Sequence, residues 1–275
     1  MIDLAALFDA GKIAKPAIIL PRPKEIIRPG DPRFVVPALG GFALTALSGF
    51  GSGGETPSTP VVSTYVTVNG AGLAAGSKTW SGISIGSASA DRYVVMASGV
   101  RHSATCATTG VTLDGNAMTQ VGSGIQSGAG AVRTHSSLWI LAWATGTTAD
   151  IVATFAATGS GCGIAIWTLT GGLLSPTPTS VQTSTAEPGS VSIDCSAGGS
   201  IIAYYTNWFS GAAGTSGHHT WTNGTERFDR TMNSGGEHET GANDDYATAQ
   251  TALALSCSRT DGAAESAAFI AAAFR

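Results

Sequence analysis

RYVVMASGV, residues 92–100, decides the fold, because it is apolar at nearly every position over the length of one strand. A strand in a two-layer sandwich instead alternates, with one face toward the core and one toward solvent. Three further segments share the two-faced pattern: SLWILAWA (137–144), GIAIWTLTG (163–171) and SIIAYYTNWF (200–209). We therefore expect that the outer faces of these strands are covered too, by a loop, by the N-terminal segment or by a neighbouring subunit, which favours a homo-oligomer.

Around these segments the sequence after residue 60 alternates short strand-like runs with turns. The other candidate strands are Val61–Val68, Lys78–Ile85, Val111–Val121, Ile151–Phe155, Val181–Thr185, Ser190–Cys195, His219–Asp229, Ala247–Cys257 and Glu265–Phe274. Such runs, 8 to 15 residues apart and without a long helical repeat between them, predict an antiparallel β-sandwich. The expected fold class is all-β and jelly-roll-like, over residues 61–275.

Turn residues divide this domain further. Asp114-Gly115 and Asn223-Gly224 predict tight hairpins, because both pairs tolerate the positive φ that such turns require. The last stretch, AAESAAFIAAAFR, has helical propensity. It follows a turn at 260–262, however, as the strand from Gly163 follows a turn at 158–161, so we predict a strand. This likeness suggests two similar halves, 61–171 and 172–275.

The N-terminal part has a different character. PAIILPRPKEIIRPGDPRFVVP, residues 16–37, holds six of the eleven prolines and is too proline-rich for helix interior or central strand. It predicts an extended docking arm that needs a groove on another protein. Residues 1–60 thus form an arm and linker, with a short amphipathic helix at 2–10 and a Gly/Ser/Thr-rich linker at 38–60. The apolar docking residues are Ile18, Ile19, Leu20, Ile26, Ile27, Phe34, Val35 and Val36.

Composition and charge exclude several classes of partner. The chain has 275 residues, 12% of them charged, and a net charge of −4. The first 35 residues carry a balance of +2, so no basic patch remains beyond the arm and nucleic-acid binding is not expected. No segment has the roughly 20 consecutive apolar residues of a membrane span. The first residues also lack the pattern of a secretory signal.

The four cysteines predict neither a zinc site nor another cofactor, because they are widely spaced. Cys195 and Cys257 both lie in strand-like runs of the second half. They form either a disulfide with each other or free buried thiols.

Polar residues concentrate between Ser216 and Tyr246, which we interpret as a long solvated loop. A sharper hypothesis places calcium there, with Glu237, Asp244 and Asp245 as weak candidate ligands. A second hypothesis places a glycan on an aromatic platform, because aromatic faces stack on sugars. The candidate residues for that platform are Trp208, Trp221 and Tyr246.

Catalytic patterns are absent from the sequence. The chain has no GxSxG elbow and no Walker A motif. Paired carboxylates for glycoside hydrolysis need about 5 to 9.5 Å between them. Such pairs arise by chance among Asp229, Glu237, Glu239, Asp244 and Asp245, and nothing in the sequence marks one of them. No catalytic residue is predicted, and the expectation is a non-enzyme.

The region from Arg92 to Gly171, with RYVVMASGV, VTLDGNAMTQV, SLWILAWATGTTADIVATF and GIAIWTLTGG, resembles a β-sandwich module of tailed-bacteriophage virion proteins. These include head fibres, spikes, decoration and minor tail proteins, among them those of gene-transfer-agent-like particles. The likeness covers about a third of the chain and lies in general pattern. It implies a capsid- or tail-mounted appendage, assembled in the bacterial cytoplasm, which docks on other virion proteins through residues 1–50. Its sandwich would face outward toward host surface glycans.

Two alternatives stay open at this point. One is a free carbohydrate-binding, lectin-like module, and the other is a glycan hydrolase. Deletion of the arm separates the first from a virion appendage, since a lectin keeps its glycan binding without residues 1–60.

Overall fold

The computed structural model describes residues 59–72, 76–102, 107–127, 133–157, 160–173, 175–209, 218–232, 236–262 and 264–275. The docking-arm residues from Ile18 to Val36, the segment 2–10, linker residues 38–58 and Cys106 lie outside this part of the chain. Every regular element in the described part is a β-strand, and all strand pairs are antiparallel. The prediction of an all-β antiparallel fold is confirmed.

The described residues of the first half of the domain form nine strands. They are β1 (Val61–Ala71), β2 (Ser77–Ser84), β3 (Tyr93–His102), β4 (Thr108–Leu113), β5 (Asn116–Ala117), β6 (Thr119–Ser127), β7 (Arg133–Ala142), β8 (Thr148–Phe155) and β9 (Gly161–Gly171). Sheet 1 has the order β1-β9-β3-β7-β6, and sheet 2 has the order β2-β8-β4-β5.

In the second half, the residues that the structure describes form eight strands. They are β10 (Ser180–Ser184), β11 (Gly189–Cys195), β12 (Gly199–Trp208), β13 (His219–Thr222), β14 (Glu226–Thr231), β15 (Glu237–Tyr246), β16 (Gln250–Arg259) and β17 (Ser266–Phe274). Sheet 3 has the order β10-β17-β12-β15-β14, and sheet 4 has the order β11-β16-β13. When β10–β13 and β14–β17 are matched to β1–β4 and β6–β9, both halves have the same strand order, apart from the two-residue β5.

The four sheets stack as four layers, with three hydrophobic cores of described residues between them. The first core lies between sheets 2 and 1 and includes Met96 and Ile151. The third lies between sheets 3 and 4 and includes Phe269 and Leu255. The second core joins sheets 1 and 3, and we call the space that it fills the seam.

The seam explains the two-faced strands. On β3, Val94 and Met96 face sheet 2, whereas Val95 and Ala97 face sheet 3. The outer face of sheet 1 is thus covered by the second half of the same chain. The two-faced pattern therefore gives no reason to expect a second subunit.

Two local predictions are corrected and one is confirmed. Asp114-Gly115 forms the tight β4–β5 hairpin, with φ of 46° and 78°. Asn223, at φ 57°, also turns the chain, but the turn joins β13 in sheet 4 to β14 in sheet 3 and is not a hairpin. The predicted loop 216–246 contains three strands, of which β15 is internal to sheet 3.

The final strand, β17, follows the sequence prediction. It lies between β10 and β12, and all nine of its residues are buried. Burial in sheet 3 outweighs the helical propensity of its alanines, which is only a few tenths of a kcal/mol per residue. None of the described residues belongs to a helix long and apolar enough to cross a membrane.

Candidate functional site

The seam changes from apolar to polar along its strands. Leu138, Ile202 and Ile270 pack together in its apolar part. Toward the start of β7, hydroxyl pairs replace them. Ser136 Oγ lies 2.7 Å from Thr206 Oγ1, and Thr134 Oγ1 lies 2.9 Å from Ser266 Oγ. Because these hydrogen bonds join sheet 1 to sheet 3, they fix how the two halves are placed on each other.

Two buried glutamates of β15 lie in this polar part of the seam. Residues two apart on a strand share a face, so Glu237 and Glu239 both point toward sheet 1. Arg101 Nη1 of β3 donates to Glu237 Oε1 at 3.3 Å. The guanidinium of Arg101 also lies 4.8 Å above the ring of Trp208. This ion pair therefore links the two halves at the edge of the seam.

Glu239 is fully buried and lies deeper in the seam. Tyr204 Oη donates to Glu239 Oε2 at 2.6 Å, while Oε1 lies 3.6 Å from Arg230 Nε and has no hydrogen-bond partner among the described residues. Burial raises the pKa of Glu239 to about 8, against the opposing effects of Tyr204 and Arg230. Opposite it, a methyl group at Gly163 would overlap the carboxyl group, so the glycine makes room for it.

A second polar network lies between sheets 3 and 4. His219 Nδ1 donates to Asp229 Oδ1 at 2.8 Å, and His219 Nε2 accepts from the Asn207 amide at 2.6 Å. Arg259 Nη1 donates to Asn207 Oδ1 at 3.2 Å and also binds Asp261. The Asp–His pair resembles one that orients a general base. The other ring nitrogen of His219, Nε2, is buried and hydrogen-bonded to Asn207, so the histidine cannot contact a substrate.

Two further histidines adjoin this network. His218 Nδ1 lies 2.7 Å from Asp261 Oδ2, and the rings of His218 and His238 are 5.1 Å apart. His238 is fully buried, and neither of its nitrogens has a hydrogen-bond partner in the described part of the chain. Burial, together with the charge of Arg259, lowers the pKa of His238 to about 4. Its imidazole is therefore neutral near pH 7.

The calcium hypothesis is not supported by the placement of its ligands. Asp244 accepts from Thr225 N and Oγ1 at 2.8 and 2.6 Å, and Asp245 accepts from Ser63 N and Oγ at 3.0 and 2.7 Å. As neighbours on a strand they face opposite sides of sheet 3, and Glu237 lies at the other end of β15. In the described residues, no three His, Cys, Asp or Glu side chains are grouped to hold a metal ion.

The three candidate sugar-binding aromatics also do not meet. Trp221 packs on Phe269 at 5.7 Å and donates to Thr240 Oγ1, so it belongs to the core of the second half. Tyr246 packs against the same core. Trp208 pairs with Glu237 and Gly199 with Tyr246 in the β12–β15 ladder, which puts Trp208 and Tyr246 about 30 Å apart along the strands.

The five carboxylates considered for hydrolysis each have a structural partner. Asp229 binds His219, Glu237 binds Arg101 and Glu239 binds Tyr204, while Asp244 and Asp245 bind the backbone and hydroxyl groups given above. Glu237 and Glu239 share a face, but both are buried. A polysaccharide has no access to them in this arrangement.

A pocket of about 470 Å³ opens at the opposite, apolar end of the seam. It is lined by Tyr93, Gln120 and Leu141 of the first half, and by Pro176, Pro178 and Val181 of the second. Among the described residues, no Asp, Glu, Lys, Arg or His side chain lines it. Its size and mixed lining suit a small neutral ligand.

The cysteine alternatives are resolved by the sheet register. Cys195 pairs with Gln250 and Cys257 with Gly189, which puts the two thiols at opposite ends of the β11–β16 pair. Both are free and buried, as is Cys162.

Sequence reasoning did not find Arg101, Tyr204 or the role of Glu239. The segment EHET does alternate acidic residues with His238 and Thr240, which is a strand period. The hydrogen-bond partners of Glu237 and Glu239 lie at least 35 residues away in the chain, so these hydrogen bonds leave no local pattern.

No protein-family model matches the chain, and no curated protein or solved structure matches it at a significant level.

Proposed function

We propose that the chain is a non-enzymatic virion structural protein, an appendage whose N-terminal arm docks on a particle and whose sandwich faces outward. The observation that carries the proposal is where apolar surface remains. In residues 59–275, as far as they are described, Val62 is the one large hydrophobic side chain that is exposed. The domain thus buries its own apolar surface. Residues 18–36, in contrast, carry apolar side chains between prolines, which favour an extended backbone.

The topology supports the same proposal. We infer that each half is a jelly roll, since eight strands in the order 1-8-3-6-5 and 2-7-4 of two facing sheets describe both halves. The repeated order favours an internal duplication of residues 61–171 and 172–275. Jelly rolls are common in viral capsid and lectin domains, an analogy at the level of fold only.

Particle fractionation tests this proposal. Cells that produce the tagged full chain together with its particles are lysed, and the particles are separated by density. The full chain should co-sediment with the particles, and a variant lacking residues 1–50 should stay in the soluble fraction. I26D/I27D is the matched variant, because it keeps the length and the prolines but removes two apolar contacts. A full chain that never enters the particle fraction contradicts the proposal.

A second candidate function is a free lectin, which the seam pocket favours. Tyr93, two prolines and an amide are groups that bind neutral sugars by stacking and hydrogen bonding. A glycan array should then retain neutral oligosaccharides on the wild type and lose them on Y93A, with W208A as the control. Retention that survives deletion of the arm favours the lectin, whereas an array without any retained glycan rejects it.

A further inference from the structure

Glu239 is unusual because it is an acidic side chain at a buried contact between two sheets. It lies on β15, is fully buried, and faces the backbone of Gly163 on β9 across the seam. One of its oxygens accepts from Tyr204, and the other has no hydrogen-bond partner among the described residues. A buried carboxyl group with an unpartnered oxygen is tolerated far better when neutral than when ionised.

Two tyrosines and a cysteine around Glu239 titrate above its range. Burial, together with Glu239 itself, raises the pKa of Tyr65 on β1 and of Cys162 on β9 to about 12. Tyr204 on β12 is raised well above its usual value for the same reasons. Arg230 Nε on β14 lies 3.6 Å from Glu239 Oε1, and Glu237 on the same strand as Glu239 is paired with Arg101.

We propose that Glu239 is a proton-controlled latch between the two halves. Its neutral form lets sheets 1 and 3 close on each other. Its ionised form loosens the seam while the cores between sheets 1 and 2 and between sheets 3 and 4 stay folded. This proposal is independent of the proposed function.

The direction of the pH response follows from the raised pKa. The folded protein keeps the Glu239 proton up to about pH 8, whereas the unfolded chain releases it near pH 4.5. The contribution of Glu239 to stability is therefore complete below pH 4.5 and is lost as the pH rises through 8. The ionised fraction in the closed seam rises about tenfold per pH unit up to that value.

Two tryptophans provide a matched readout by NMR. The Trp167 indole N–H lies in the seam and donates to Asn243 at 3.0 Å, and the Trp139 indole N–H lies in the first-half core and donates to Ser137 at 2.9 Å. Hydrogen exchange of both is followed in the full chain between pH 6 and 9.5, and the intrinsic pH dependence is removed by taking their ratio. The ratio of Trp167 to Trp139 exchange should rise up to tenfold per pH unit and level off near pH 8.

Variants at the latch decide the outcome. E239Q cannot ionise and should give a flat ratio. If E239Q does not fold, Y204F still tests the latch. It removes the hydrogen bond that holds the pKa of Glu239 down, so the rise should level off at a higher pH. An unchanged response in either variant, or exchange of both tryptophans that rises together, overturns the proposal.

Discussion

The first half packs Trp80, Met96 and Ile151 between its two sheets, whereas the second half places His219, Asp229 and Arg259 between its own. The strand order is nevertheless the same. Where the second half has these charged pairs between its sheets, the first half has uncharged groups such as Ser98 and Thr108. The comparison teaches that the same strand order tolerates either an apolar core or a network of hydrogen-bonded polar groups between its two sheets.

The connections between strands differ in the same way. In the first half, Arg92 donates to carbonyl oxygens of residues 85–87 on one connection and of residues 143, 145 and 146 on another. In the second half the corresponding connections, 196–198 and 247–249, have three residues each. Short connections need no arginine of this kind, because fewer of their backbone groups are left without a partner in the sheet.

The largest effect is expected when the hydrogen bonds of the Arg92 side chain are removed. R92M should lower the free energy of unfolding by about 3–5 kcal/mol, because it leaves several carbonyl groups without their donor. Denaturant unfolding measures this loss. K78M, on a partly exposed lysine of β2, is the control and should change it by less than about 0.5 kcal/mol. Equal losses of unfolding free energy in the two variants would show that the hydrogen bonds of Arg92 stabilise the fold no more than the Lys78 side chain does.

The next effect sharpens the contrast in charge. D229N should cost about 2–4 kcal/mol, because it removes the negative charge beside the buried His219 ring. It also replaces one of the two carboxylate oxygens, which accept from His219 N and Nδ1, by an amide NH2 group. Burial alone would raise the pKa of Asp229, but the hydrogen bonds from His219 lower it overall. The stability from this pair is thus present near neutral pH and lost in acid, and pH-dependent unfolding should show this for the wild type only. D194N, on an exposed carboxylate, is the control.

A smaller effect tests what the halves have in common. His135 on β7 and His238 on β15, which are corresponding strands, both have a pKa lowered to about 4, in each case first of all by burial. The unfolded chain therefore takes up these protons first, and stability falls as the pH drops from 6.5 to 4. H135F and H238F should each reduce that acid dependence, measured as melting temperature against pH. A variant with the wild-type slope would show that its histidine does not contribute.

The smallest effect concerns the contact between the halves. The Ser136–Thr206 hydrogen bond crosses the seam at 2.7 Å. A double-mutant cycle of S136A and T206V should give a coupling energy of about 1 kcal/mol in unfolding. Additive single effects would mean that this pair does not hold the halves together.

Local patterns predicted most of the strands. Residues 93–100 of RYVVMASGV lie in β3, residues 200–208 of SIIAYYTNWF lie in β12, and most of the alanine-rich end of the chain lies in β17. The two-faced pattern also predicted a second cover correctly. That the cover is the other half of the chain did not follow, because contacts such as Thr134–Ser266 join residues 132 positions apart.

The charged strand β15 shows where sequence reasoning fails. A run with Glu237, His238 and Glu239 is typical of solvated loops, since unpaired charges are rarely buried. Here Arg101, His219 and Tyr204 surround it from three other strands. Such pairing arises only in the folded chain, so the candidate metal and sugar residues chosen from this region were grouped by proximity in sequence rather than in space.

The four-layer arrangement also bears on synthesis at the ribosome. The first half leaves the ribosome with one face of sheet 1 uncovered, and about a hundred more residues must be made before sheet 3 can cover it. At 5–20 residues per second this interval lasts about 5 to 20 s. During it the exposed face can accept sheet 3 of a neighbouring nascent chain, so we expect misassembly of this architecture to take the form of exchanged halves between chains.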